Sequence, residues 1–410
     1  MRASTKYLER FAEPEARLRE LDGLRPHGPW THAIVIPARR EQSSACLRAV
    51  AAPAARARVL VVLVVNAGDD ADDQRSNAAL LTDLQARARP CWRAPGLSLH
   101  RLVAPELDVL LVDRSTPPRN FASRDGVGLA RKLGADLIAR LIADRLIASP
   151  WIHTTDADVE LPAEHFERVT NLTPGAAVAP YRHVEAGDAA THAATQRYEL
   201  SLRYYVLGLR SAGSPYAFQT IGSLISVAAS SYAIARGFPR RQAGEDFYML
   251  TKLAKLGPVH RLGGEPVQIR SRRSSRAPFG TGPAVEALLA GKPHEVYDPR
   301  TFDVLGRALR SLASGCGLSS ELVREHPELT SWRDSADQLK RRYGPDQLRV
   351  RVREHFDGFR TLKLIHALTS RWPKLPWEGA IVRAPFLDLA SGHTLDWQCD
   401  QLYALESVGC

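Results

Sequence analysis

Two aspartates separated by one residue, Asp156 and Asp158, follow directly on a short apolar stretch in Trp151-Ile-His-Thr-Thr-Asp-Ala-Asp-Val159. Where that stretch is a strand, alternate side chains beyond it point the same way, and the two carboxylates can converge on one ligand. Oxygen donors without thiolate or imidazole suit a hard divalent ion, Mn2+ or Mg2+, particularly one shared with substrate phosphates. A lone pair of this kind is more often a solvated turn, so its surroundings decide. Two β-branched runs, Ala33-Ile-Val-Ile36 and Val59 to Val65, are followed by polar residues, Ala38-Arg-Arg-Glu41 after the first and Asn66-Ala-Gly-Asp-Asp70 after the second. Three strand ends thus bring polar groups to one edge of a sheet, the edge at which open α/β sheets bind ligands. The arginines at 270, 272, 273 and 276 add guanidinium forks that suit phosphate oxygens, with a solvated charged loop as the alternative.

These residues need elements to hold them. The continuous apolarity of the two runs, separated by about the length of a helix, predicts parallel strands covered on both faces, and Leu107 to Val112 predicts a third. Helical spacing of apolar residues predicts a leading helix within residues 5–24, an amphipathic helix from Leu129 to Ile147 and a long helix around Ala189 to Arg210. A short strand is expected at Ala176 to Ala179. Arg124-Asp-Gly-Val-Gly-Leu-Ala-Arg131 opens the helix before the aspartate pair, where backbone N–H groups can meet phosphate. It is not a dinucleotide fingerprint, because a Pro-containing polar loop from Ser115 to Arg124 separates it from any strand. After Gly282 the chain changes to helices with charged faces, predicted at Val285 to Leu289, Thr301 to Leu312, Ala336 to Tyr343 and Gln347 to Phe356. The division expected is a helical lead over 1–30, a catalytic domain over 31–283 and a helical C-terminal region over 284–410.

Composition narrows the class. With 410 residues, 44% hydrophobic and 24% charged, the chain is globular. Its longest strongly apolar run, Val59 to Val65, is far short of the roughly 20 residues that span a bilayer. The N-terminus spreads charges throughout and has no apolar signal region, so a cytoplasmic location is expected. The net charge of +10 invites a nucleic-acid partner, but eight of the 55 basic residues are Lys and the 47 Arg are scattered, so no nucleic-acid binding is expected. Cys46, Cys91, Cys316, Cys399 and Cys410 show no zinc or disulfide spacing. His32 and His153 read as satisfied structural histidines.

In chain order, Ile34-Val-Ile-Pro-Ala-Arg-Arg-Glu41, Arg124-Asp-Gly-Val-Gly-Leu-Ala-Arg-Lys-Leu-Gly-Ala135, Thr154-Thr-Asp-Ala-Asp-Val159 and Gly244-Glu-Asp-Phe-Tyr-Met-Leu250 resemble the motifs of family 2 glycosyltransferases of the GT-A fold. The resemblance covers roughly residues 31–283 and implies an α/β fold, a Rossmann-like mixed sheet flanked by helices, with a helical C-terminal appendage. It further implies a soluble, bacterial-type hexosyl transferase with a nucleoside-diphosphate sugar as donor. Donor contacts fall on Pro37, Ala38, Arg39, Glu41 and Asn66 at the strand ends, on Arg124 and Arg131, and on Asp156, Arg272 and Arg273. Mn2+ or Mg2+ is expected at Asp156 and Asp158. Asp246, with Glu245 as the alternative, is expected to deprotonate an acceptor hydroxyl with inversion at the sugar. Arg40 stands where the family commonly has Asn, and Asn66 where it commonly has Asp. The QxxRW motif of processive synthases is missing, which implies single-sugar transfer. The alternatives are a nucleotidyltransferase, which lacks its Gly-rich, Lys-bearing loop here, a retaining GT-A enzyme, and a non-enzymatic scaffold.

Overall fold

The computed structural model describes residues 2–408 apart from 69–70, 104–105, 123, 275, 277, 316, 388 and 390–391. Asp69, Asp70, Ala277, Cys316 and Cys410 therefore lie outside the described residues. The chain divides into two compact units, one of Met1–Ala186 with Thr220–Pro283 and the other of Gly187–Gln219 with Ala284–Gly409.

The first unit is a mixed α/β layer structure. Its strands are β1 (His32–Ala38), β2 (Val59–Asn66), β3 (Pro90–Ala94), β4 (Leu97–Val103), β5 (Glu106–Arg114), β6 (Trp151–Thr154), β7 (Val159–Glu160), β8 (Ala176–Val178), β9 (Tyr181–Val184), β10 (Ile225–Ala228), β11 (Val259–Arg261) and β12 (Val267–Arg270). Nine of them form one sheet in the order β11-β8-β10-β6-β1-β2-β5-β4-β3. The centre is parallel, with β2 and β6 on either side of β1 and β5 beside β2. Antiparallel β10 joins β6 to β8, and β4 and β3 extend the other side as an antiparallel meander. Every residue of β2 is buried, which is why its sequence is apolar without alternation. At about 1.5–3 kcal/mol per fully buried aliphatic side chain, this run is a principal source of the unit's stability.

The helices of this region, in chain order, are α1 (Arg2–Arg10), α2 (Ala51–Ala54), α3 (Ala71–Arg87) and α4 (Val127–Ala143); α5 (Ala189–Ser211) belongs to the second unit, and α6 (Ala229–Ile234) and α7 (Glu245–Leu256) return to the first. The leading helix is shorter than its apolar spacing predicts. It stops at Arg10, and residues 14–27 wind as two 3-10 stretches, because Pro14 and Pro26 cannot donate helix-interior hydrogen bonds. A second sheet, β7-β12-β9, lays β12 alongside β7, with Gln268 opposite Glu160 and Ile269 opposite Val159. This pairing carries the chain leaving β12 past the aspartate segment that precedes β7.

The second unit is largely helical. The 187–219 segment falls within the 31–283 span assigned to the catalytic domain on sequence, yet it groups with the C-terminal helices. The reason is its apolar face: Leu200, Tyr204 and Leu207 of α5 share a buried core with Phe302, Leu305, Ile365 and Leu402. Buried Arg203 is held there between Glu199 at 2.8 Å and Glu406 at 2.5 Å. Among the described residues no helix is long and apolar enough to cross a membrane.

Candidate active site

The carboxyl ends of β1, β2 and β6 lie side by side. After β6 the Thr155 N–H donates to Val35 O at 3.0 Å, so the chain follows β1 for one further residue before Asp156. The carbonyl of Asp158 then accepts the Arg270 N–H at 2.9 Å, which fixes the second aspartate against the end of β12. Both side chains are partly open to solvent, 35% for Asp156 and 20% for Asp158.

Each carboxylate is met by an arginine. Arg131, on α4 and only 4% exposed, bridges Glu245 Oε1 through Nη1 and Asp156 Oδ1 through Nη2. Burial works against its charge, but Asp156 and Glu245 outweigh burial and hold its pKa above the ordinary arginine value. The space for this guanidinium comes from Gly222, where a Cβ would stand 2.4 Å from Arg131 Cζ. Asp158 Oδ2 accepts Arg272 Nε at 2.5 Å, and the same guanidinium reaches Glu41 Oε1 at 3.0 Å. Glu41 also accepts Arg276 Nη1 at 2.6 Å. Asp156 has a pKa above the usual carboxylate value because burial and the charge of Asp158 outweigh Arg131. Glu245, Arg131 and Asp156 form one charge-alternating chain, and Asp158, Arg272, Glu41 and Arg276 form a second beside it.

Glu245 and Asp246 open α7 but do different things. Glu245 is buried and committed to Arg131. Asp246 is half-buried, and its Oδ1 accepts the adjacent Phe247 N–H at 2.7 Å, so part of its role is to satisfy a helix-start donor. Burial first, and then the neighbouring Glu245 charge, push its pKa up to about 7 against the pull of Arg131. A carboxyl poised near neutrality is suited to take a proton from a hydroxyl.

Other expected contacts are arranged differently. Arg39 donates to Asp73 Oδ2 at 2.6 Å, and Arg40 donates to Asp73 Oδ1, so both guanidinia turn onto a buried carboxylate of α3. Asn77, one turn later, accepts the Arg40 N–H at 3.0 Å and donates to Asn66 O at 2.9 Å and Ser115 Oγ at 3.1 Å, tying three strand ends together. Arg40 has φ 56, the left-handed region that Asn tolerates better than Arg, and these partners hold it there. Asp73, Asn77 and Gly222 were not singled out on sequence; their partners are remote in the chain. Pro37 and the fully buried Ala38 end β1, Arg273 follows β12, and Asn66 is 4% exposed at the end of β2. Arg124 is exposed on the turn before α4. At the start of α4 the Gly128 N–H is taken by Arg241 O at 3.0 Å, and the Leu129 and Ala130 N–H groups donate to Gly126 O at 3.1 and 3.2 Å. A Cβ at Gly128 would lie 2.5 Å from Pro239 O, so this glycine allows two backbones to approach.

The histidines also depart from expectation. His153 Nδ1 pairs with Ser226 Oγ at 2.8 Å, but His153 Nε2, His32 Nδ1 and both ring nitrogens of His165 are buried without a hydrogen-bond partner among the described residues. The rings of His153 and His165 are 5.6 Å apart, and those of His32 and His153 are 6.2 Å apart.

No group of three or more His, Cys, Asp or Glu among the described residues could hold a metal ion. The donor set at Asp156 and Asp158 nevertheless fits Mn2+ or Mg2+. It consists of two solvent-accessible carboxylates, each ion pair occupies one of their oxygens, and substrate oxygens and water ordinarily complete such a shell.

No protein-family model matches the chain, and no curated protein matches it in sequence. Among solved structures it is similar to glucosyl-3-phosphoglycerate synthase from Mycobacterium tuberculosis in complex with uridine diphosphate, at 14% identity over 66% of this chain and 82% of that one, with a TM-score of 0.33. The same enzyme with Mn2+, uridine diphosphate and phosphoglyceric acid matches at 12% identity over 73% of this chain and 82% of that one, with a TM-score of 0.32. A mycobacterial protein matches at 14% identity over 67% and 78%, also with a TM-score of 0.32.

Proposed function

We propose that this chain is a family 2-like glycosyltransferase of the GT-A fold that moves one sugar from a nucleoside diphosphate to an acceptor hydroxyl with inversion. The observation that supports the reading best is the meeting, at one sheet edge, of the Asp156/Asp158 pair with a carboxyl, Asp246, held near neutrality. Asp246 accepts the hydroxyl proton as the oxygen attacks the anomeric carbon, which adds about 10²- to 10⁴-fold to the rate. Glu245 serves as the fixed counter-ion of Arg131, and Arg131 holds Asp156 in place. Asp156 and Asp158 hold the divalent ion, whose positive charge stabilises the departing diphosphate when bound. On this reading Arg272 and Arg276, whose guanidinia cluster at Asp158 and Glu41, take the phosphates.

The test is a panel of nucleotide sugars incubated with the protein, Mn2+ and candidate acceptors. The reading requires release of nucleoside diphosphate and a product of inverted anomeric configuration by NMR. Release of pyrophosphate would move the chain to nucleotidyl transfer, and retained configuration would remove Asp246 as the base.

A further inference from the structure

Of the two arginines that cap the aspartate pair, only one is free to leave. Arg131 is almost wholly buried, bridges two carboxylates and packs its guanidinium against Gly222, where a Cβ would crowd it. Arg272 is 31% exposed, on the chain leaving β12, and its Nε donates to Asp158, whose side chain is 20% exposed. Its second partner, Glu41, is shared with Arg276, so Glu41 keeps a cation when Arg272 departs. We infer that Arg272 is a cation surrogate at Asp158 that makes divalent-metal binding conditional on the diphosphate.

The argument is electrostatic. A divalent ion arriving alone at Asp158 must displace Arg272 or sit beside its positive charge, and either outcome costs free energy. A diphosphate offers the guanidinium an equivalent fork of oxygens, so Arg272 exchanges a carboxylate for a phosphate partner without being left bare. The ion then takes Asp158, and ion and diphosphate strengthen one another's binding. Coupling of this kind commonly amounts to about 5- to 150-fold and is reciprocal. The inference rests on the reading of this edge as a diphosphate-donor site.

The experiment measures protein-bound Mn2+ by electron paramagnetic resonance without nucleotide, and the affinity for uridine, guanosine, adenosine and thymidine diphosphates by calorimetry with and without Mn2+. Wild type should bind Mn2+ alone weakly and bind one of the diphosphates at least about 10-fold tighter when Mn2+ is present. Arg272→Ala should bind Mn2+ alone about 10-fold tighter than wild type while losing most of the coupling. Arg272→Lys, which keeps the charge without the fork, should bind Mn2+ alone weakly and lose part of the coupling, and thermal melting confirms that each variant is folded. Adding Asp158→Asn to Arg272→Ala should abolish the gain. If wild type shows metal-dependent diphosphate binding but Arg272→Ala binds Mn2+ alone no better, the inference fails and the donor site stands. If wild type binds no diphosphate under any condition, both fall.

Discussion

In the proposed transfer, adjacent carboxyls take opposite duties at the residue scale. Arg131 holds Glu245 in a buried ion pair, whereas burial and the nearby negative charge push Asp246 up to about 7. Because Asp246 must be deprotonated to accept a proton, turnover should rise as pH increases through about 7 and level off above it. Asp246→Asn should lower turnover by about 10²- to 10⁴-fold, leave nucleoside diphosphate affinity unchanged and remove that limb of the pH–rate profile. An undiminished variant rate would remove Asp246 from the mechanism. The aspartate pair and the Glu245-Asp246 dipeptide are legible in the sequence because their meaning lies in local spacing. Their pairing with Arg131 and Arg272 is not, since Arg131 and Glu245 are 114 positions apart and nothing local joins them.

Elements bring those residues together, and only some of them are marked by local sequence. The apolar runs mark β1, β2 and β5 well because buried parallel strands need no alternation. The glycines that open α4 read as a phosphate cradle, but the helix start is covered by the backbone of residues 239–242. Sequence could not show this, because a glycine required for backbone approach looks the same as one required for anion contact. Gly128→Ala is expected to destabilise the fold by about 1–3 kcal/mol through overpacking, with a lower melting temperature. A variant of wild-type stability whose only defect is diphosphate affinity would restore the cradle reading. The same limit applies to Asp73 and Asn77, whose i,i+4 spacing on α3 faces strand ends that only the folded sheet brings within reach.

For the molecule as a whole, acid stability should be governed by the cluster of His32, His153 and His165. Burial lowers the pKa values of His32, His153 and His165, that of His165 to about 3. For His165, between about 3 and the unfolded value of roughly 6.5 the unfolded chain binds the extra proton, so stability should fall as pH is lowered through this window by up to about 1.4 kcal/mol per pH unit, and His32 and His153 act in the same direction. Asp246 acts in the opposite sense: its contribution is present below its ordinary range and lost as pH rises through about 7. Thermal melting between pH 7 and 4 should therefore show a steep acid loss that His165→Phe makes shallower. An unchanged slope would mean that the cluster is hydrated or that its protons are compensated elsewhere. The proposed transfer depends on the Asp156/Asp158 edge binding a diphosphate with a divalent ion. Its most direct test is calorimetric titration of wild type and Asp158→Ala with nucleoside diphosphates, with and without Mn2+. Wild type should show Mn2+-dependent binding that disappears in a folded Asp158→Ala variant, and undiminished Mn2+-dependent binding by that variant would remove the aspartate pair from the donor site.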